Sequence, residues 1–157
     1  MKDHVSRGAV LSKLRGSWYV LLVYENKKKF RLPGGRAEGS DSPAETFARE
    51  VKEETGVVVM DFREMCRAQY EYEHVYFVST RAANQLPPGP YRLLTPSKKE
   101  KITSFLHVIN GYVLEKLIPP DRDAFIRIIL KFAREVPDFY QDNVQFIEWL
   151  HKDFVKS

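Results

Sequence analysis

Residues 34–58 read GGRAEGSDSPAETFAREVKEETGVV, and the order of residue types spells out a loop, a capped helix and a stop. Ser42 is a good N-cap, Pro43 suits the first helical position, and Glu45 completes a capping box with Ser42. Ala44, Phe47, Ala48, Val51 and Thr55 make a compact apolar face, and Gly56 supplies a left-handed stop. The spacing predicts a helix over 42–55, entered from a tight loop that begins at Gly34 and Gly35. At about 100° per residue, Glu50, Glu53 and Glu54 fall in one narrow stripe. That stripe lies beside the apolar face, which puts the carboxylates at the rim of a cleft.

Crowded carboxylates repel. On an open helix surface a like-charged pair costs a few tenths of a kcal/mol, whereas two charges about 5 Å apart at an effective dielectric of about 20 repel by roughly 3 kcal/mol. A rim site lies between those limits. A hard divalent cation relieves the repulsion, and Mg²⁺ or Mn²⁺ with oxygen ligands suits three carboxylates that have no histidine or cysteine beside them. Such an ion also pairs naturally with phosphate oxygens.

The same residues resemble the Nudix box, G-x5-E-x7-R-E-U-x-E-E-x-G-U with U a bulky aliphatic. Gly35, Asp41 and the run Arg49-Glu50-Val51-Lys52-Glu53-Glu54-Thr55-Gly56-Val57 stand at its spacing. Every fixed position matches except Asp41, where the family carries glutamate. The resemblance implies an α/β fold, an α/β/α sandwich with a mixed sheet and, here, extra C-terminal helices. It also implies metal-dependent hydrolysis of a pyrophosphate joined to another group X. Glu50, Glu53 and Glu54 are then the metal-ligand candidates, with the Gly34 carbonyl a further one. One of the three glutamates is a candidate base instead, with Glu50 and Glu53 the catalytic candidates. Arg49 is a candidate catalytic residue that holds a carboxylate in place. Asp41, one methylene short, is expected to reach Arg49 poorly and to reduce activity, or else to help Ser42 cap the helix.

The whole sequence has 157 residues, 43% hydrophobic and 29% charged, with formal net charge +4. That length predicts one domain over 1–157 with a core of its own. Mild basicity favours anionic partners without establishing nucleic-acid binding. Cys66 is the single cysteine, so no internal disulfide framework forms, and a reducing, cytoplasmic location is expected. No signal peptide and no membrane-length apolar run is read from the chain, so no membrane partner is expected. A monomer or a homodimer is the expected state.

Residues 5–12 and 17–24 read as strands joined by a turn at Arg15-Gly16, the second central and covered on both faces. Lys27–Lys29 read as a polar turn, followed by a short strand, Phe30-Arg31-Leu32, that places Arg31 as a substrate-binding candidate just ahead of the glycine pair. Residues 57–62 predict a further strand, and 66–80 (CRAQYEYEHVYFVST) another of high β propensity. Within it Tyr70, Tyr72, His74 and Tyr76 share one face. They suit cross-strand packing or, at Tyr72 and Tyr76, contact with a base. Residues 82–99 hold four prolines and a glycine and read as a loop or insertion. In the family a loop at about this place supplies a further glutamate, which makes Glu100 a candidate accessory catalytic residue before a strand at 102–108. Helices are predicted over 121–133, with Asp121 as cap, and over 142–155.

The preferred reading is hydrolysis of a nucleoside polyphosphate, a dinucleoside polyphosphate or a nucleotide sugar, so the partner is a small nucleotide. Two others stand beside it: pyrophosphate hydrolysis at an RNA 5′ end, with RNA as partner, and a non-catalytic module that binds nucleotide or RNA.

Overall fold

Arg15 and Gly16 both adopt positive φ, 51° and 85°. That pair turns strand β1 (His4–Leu14) directly back onto β2 (Ser17–Tyr24), as a two-residue hairpin with matching twist requires. The computed structural model describes residues 3–24, 29–82 and 103–154. Within them β3 (Gly34–Arg36) precedes helix α1 (Pro43–Thr55), which is followed by β4 (Val59–Met60), β5 (Arg63–Gln69), β6 (Glu73–Ser79) and β7 (Arg81–Ala82). Strand β8 (Thr103–Val108) then leads into helices α2 (Gly111–Lys116), α3 (Pro119–Glu135), α4 (Pro137–Asp142) and α5 (Val144–Phe154).

The main sheet runs β5-β6-β1-β2-β8, with β3 added to β1. It is mixed, because β1 and β6 are parallel while the other pairs are antiparallel. Val20, Leu21 and Leu22 are each 0% exposed, so β2 is covered on both faces as its unbroken apolar run predicts. On one face α1 packs Phe47 and Val51 against Val10, Leu21, Val75, Phe77 and Leu106. On the other, Ala9, Leu11, Leu22, Tyr76 and Phe105 meet α2–α5 through Val113, Phe125, Ile128, Ile129, Phe139 and Leu150. This is the expected sandwich of helix, mixed sheet and helices.

Several boundaries differ from the sequence expectation. The stretch 66–80 is not one strand but the second arm of a hairpin and part of the first: β5 and β6 pair in antiparallel fashion around Tyr70–Tyr72, where the Tyr70 amide donates to the Tyr72 carbonyl. Tyr70 and Tyr72 therefore lie at the bend rather than on the strand face with His74 and Tyr76. The strand predicted at 57–62 is only two residues long. Helix α3 starts at Pro119 with Ile118 as its N-cap and no capping side chain. Asp121 is thus inside the first turn, 1% exposed, and accepts the Leu32 amide at 2.9 Å. Helices α2 and α4 were not read from the sequence. Glu100, most of the 82–99 loop and most of the turn at Lys27–Lys29 lie outside the described residues.

β5 and β8 end the described sheet on its two sides, and the Met65 and Arg67 carbonyls of β5 accept from Lys131 Nζ (3.4 Å) and Arg127 Nη1 (3.2 Å) on α3. Among the described residues no helix is long and apolar enough to cross a membrane.

Candidate active site

Helix α1 is fixed at both ends by its own sequence. The Ser42 hydroxyl accepts the Glu45 amide at 3.1 Å and the Glu45 carboxylate accepts the Ser42 amide at 2.8 Å, the reciprocal capping box. Gly56 closes the other end at φ 77°. Strand β1 holds the N-terminus against the sheet through Ser6, whose hydroxyl donates to the Pro43 carbonyl (2.8 Å), and His4, whose Nε2 lies 2.9 Å from the Thr46 hydroxyl.

So anchored, the helix sends its glutamates to different surroundings. Glu50 and Glu54 are buried, while the Glu53 side chain is 46% exposed. Glu54 Oε1 accepts the Gly34 amide at 2.8 Å. Glu50 lies under the neighbouring glycine, and a Cβ placed on Gly35 would overlap its carboxylate. A residue with any side chain at 35 would displace that glutamate, which explains glycine there on packing grounds alone. Gly34 itself has φ 151°, within the region that favours glycine.

Arg49 gathers the acids. Its Nε donates to Asp41 Oδ2 at 3.0 Å, Nη1 lies 2.9 Å from Glu50 Oε2 and 3.4 Å from Glu53 Oε2, and Nη2 donates to the Arg36 carbonyl at 3.0 Å. Glu38, on the entry loop, approaches the same guanidinium at 3.4 Å. Burial works against the Arg49 charge, but the hydrogen bonds to Asp41 and Glu50 outweigh it and hold the guanidinium more firmly protonated than usual. Asp41 is therefore long enough to reach Arg49, contrary to the sequence expectation, and it does not cap the helix.

The three glutamates share one helix stripe, yet among the described residues no three carboxylate, imidazole or thiolate groups converge closely enough to hold a metal ion outright. Three contacts explain this. Glu54 is turned to the Gly34 amide, and Glu50 and Glu53 are clamped on Arg49.

Arg31 Nε lies 3.8 Å from Asp121 Oδ2, so the pair fastens the segment ahead of Pro33 to the start of α3. Tyr72 lies beneath the Arg36 guanidinium, 4.3 Å from its ring centre. Tyr76 is 1% exposed, so its ring offers no open face for stacking. Arg7, which the sequence reading passed over, and Asp121, which it read as a helix cap, belong beside these. Arg7 donates through Nη1 to the Leu32 carbonyl at 3.0 Å and the Gly34 carbonyl at 3.4 Å, and Asp121 accepts from Leu32. The signal for Arg7 was present: it is a lone charge in the apolar strand VSRGAVL, where a charge needs a reason.

The sequence matches the profile of the NUDIX domain over residues 2–150. The chain belongs to the NUDIX domain family. That membership makes it a Nudix pyrophosphohydrolase by class, and the fold agrees with solved Nudix structures. A MutT/nudix family protein from Enterococcus faecalis superposes with a TM-score of 0.65 at 15% identity, covering 90% of this chain and 67% of that one. The MutT protein of Bacillus halodurans gives 0.57 at 21% identity, over 78% and 79% of the two chains. The NUDIX domain of Shewanella oneidensis NrtR, complexed with ADP ribose, gives 0.59 at 17%, over 86% and 88%. Comparison with curated protein sequences returns no match.

Proposed function

We propose that this Nudix chain hydrolyses a pyrophosphate bond in a nucleoside diphosphate linked to another group, using Mg²⁺ or Mn²⁺. The observation that carries the reading is the pair of buried carboxylates, Glu50 and Glu54, fastened against the Gly34-Gly35 loop on the side where Gly35 has no Cβ. This donor set is all oxygen, the chemistry a hard divalent ion takes: Glu50, Glu54 and the Gly34 carbonyl would hold it once Glu53 turns from Arg49 to join them.

Such an ion, when bound, would supply charge neutralisation at the pyrophosphate and would make a water easier to deprotonate. The chain's own residues do the rest. Arg49, spanning Asp41, Glu50 and the Arg36 carbonyl, fixes the Glu50 carboxylate and ties the helix to β3. The Gly34 amide holds Glu54 at one orientation. Glu53, the exposed member, is free to leave Arg49 at little cost, since exposed ion pairs contribute about 0–1 kcal/mol. It therefore serves as the mobile ligand or as the group that takes a proton from the attacking water. Arg36 above Tyr72 offers a cation and an aromatic surface next to the loop for the remainder of the substrate.

The test is a hydrolysis panel in Mg²⁺ and in Mn²⁺ that covers nucleoside triphosphates, dinucleoside polyphosphates, nucleotide sugars, ADP-ribose and capped or triphosphorylated RNA, run beside Glu53→Gln and Glu54→Gln. The proposal expects metal-dependent turnover of at least one class and a loss of about 10²-fold or more in the variants. Full turnover in both variants removes α1 as the catalytic element.

A further inference from the structure

Strand β5 ends the described sheet on one side, and helix α3 packs on the sheet face opposite α1. Between the two lies an open groove of about 540 Å³. Its floor is apolar: Met65, Ile126 and Leu130 are nearly covered, Cys66 is half-buried, and Phe154 of α5 adds a ring that is 45% exposed. The wall on α3 is charged and carries Asp123, Arg127, Lys131 and Arg134.

The acids beside this groove are already committed. Arg63 pairs with Glu135 at 2.7 Å, and Arg67 pairs with Glu64 at 2.7 Å and with Glu73 at 3.1 Å. Arg127, Lys131 and Arg134 are placed differently. Four and three residues apart, they form one row on α3, and among the described residues none of them forms an ion pair. Arg127 and Lys131 each give one donor to a neutral carbonyl of β5, which leaves both with N–H groups to spare. Their charges reach the floor: burial pushes the Cys66 thiol up, and Arg127 and Lys131 act against that rise.

We propose that this groove docks an acidic, aliphatic segment of a partner protein in extended form, its apolar side chains on the floor and its carboxylates against Arg127, Lys131 and Arg134. The inference stands apart from the pyrophosphohydrolase reading. Charge complementarity sets the sign of the partner, and the floor requires that it also be apolar. At a helical rise of 1.5 Å per residue the wall from Asp123 to Arg134 is about 16 Å long, the span of about five residues of extended chain. Asp123 sets the direction, because it repels a carboxylate at its own end and leaves the acids of the partner to the Arg127–Arg134 end. Single-stranded nucleic acid is held on successive aromatic platforms along a cationic track, whereas Phe154 is the only ring among the described lining residues. A bilayer presents a broad flat face, which does not enter a groove.

The test is fluorescence anisotropy of a labelled peptide of alternating aspartate and leucine, about five residues long, with the whole chain, beside the same peptide carrying asparagine for aspartate. The aspartate peptide is expected to bind about 10-fold more tightly or better, to weaken as salt rises, and to slow the reaction of Cys66, the single cysteine, with a thiol reagent. Arg134→Glu is expected to weaken it by about 10-fold or more, because like charges then meet. Its melting temperature should not change, since the Arg134 side chain makes no hydrogen bond or ion pair among the described residues. Arg15→Glu, the same change of charge on the β1–β2 turn, is expected to leave the affinity within about twofold. Equal affinity for the two peptides, no binding of either, equal losses in the two variants, or binding that leaves Cys66 unprotected overturns the proposal. So does tighter binding of oligouridylate or of phosphatidylserine vesicles that Arg134→Glu abolishes, which assigns the groove to RNA or to a membrane. A dimer seen by sedimentation and dissolved by Arg134→Glu overturns it in favour of a second copy of this chain.

Discussion

Arg49 Nε lies 3.0 Å from Asp41 Oδ2, so an aspartate reaches the helix from the place where the Nudix box carries glutamate. The entry loop makes up the missing methylene, since the Asp41 amide donates to the Glu38 carbonyl at 3.1 Å and draws the backbone in. Asp41→Glu is therefore expected to leave kcat/KM within about twofold. Asp41→Ala, which frees Arg49 Nε, is expected to lower activity or metal affinity by about 10-fold, the usual effect of losing a residue that orients a ligand. Steady-state kinetics and a Mg²⁺ titration of both variants check this, and a large gain in Asp41→Glu would show that the aspartate is a compromised support after all.

Gly35→Ala places a methyl group where the Glu50 carboxylate now lies. Overpacking of this kind costs about 1–3 kcal/mol, and relief comes most easily by moving Glu50. A urea melt should show the stability loss, and turnover should fall further than stability does. A variant as active as the parent would separate Glu50 from the reaction.

Ser42→Ala removes the hydroxyl that accepts the Glu45 amide. The expected cost is about 1 kcal/mol, seen as a lower urea midpoint with an unchanged slope. Because α1 carries the glutamates, the same variant should need more Mg²⁺ for half-maximal rate.

Burial first, and the Arg7 guanidinium next, hold the His74 imidazole below its ordinary pKa of 6.5. In the unfolded chain the ring takes its proton at the ordinary value, so between the two values the unfolded state binds more protons than the folded one. Stability then rises with pH across that window and is lost as pH falls below about 6.5. His74→Gln should flatten this slope in melting temperatures measured from pH 5 to pH 8. An unchanged slope would assign it to another group.

Where local chemistry decides, the sequence was informative. The capping box, Pro43 and Gly56 mark α1 to within a residue, and the apolar run 18–23 marks β2 as buried on both sides. The hairpin at 63–79 was not legible for a local reason as well. Its bend at Tyr70–Tyr72 contains no glycine, proline or asparagine, so the alternation of β-forming residues runs through it unbroken. Long-range pairing explains the remaining misses. Asp121 follows two prolines and looks like a cap, but its partner is the Leu32 amide, 89 residues away. Likewise, the glutamate stripe on α1 was readable from spacing, whereas the hold of Arg49 on Glu50 and Glu53 and of Gly34 on Glu54 depends on how the loop meets the helix.

The helix cations on the β5 carbonyls bear on how this protein behaves at high concentration. An outer strand with open acceptors is a template on which a foreign strand can grow. Here Lys131 and Arg127 already occupy Met65 and Arg67 on that margin, so extending the sheet past β5 would first require stripping two cations from their acceptors. The β5 edge is covered by the protein's own third helix, which biases this margin against fibre growth and strand exchange between copies.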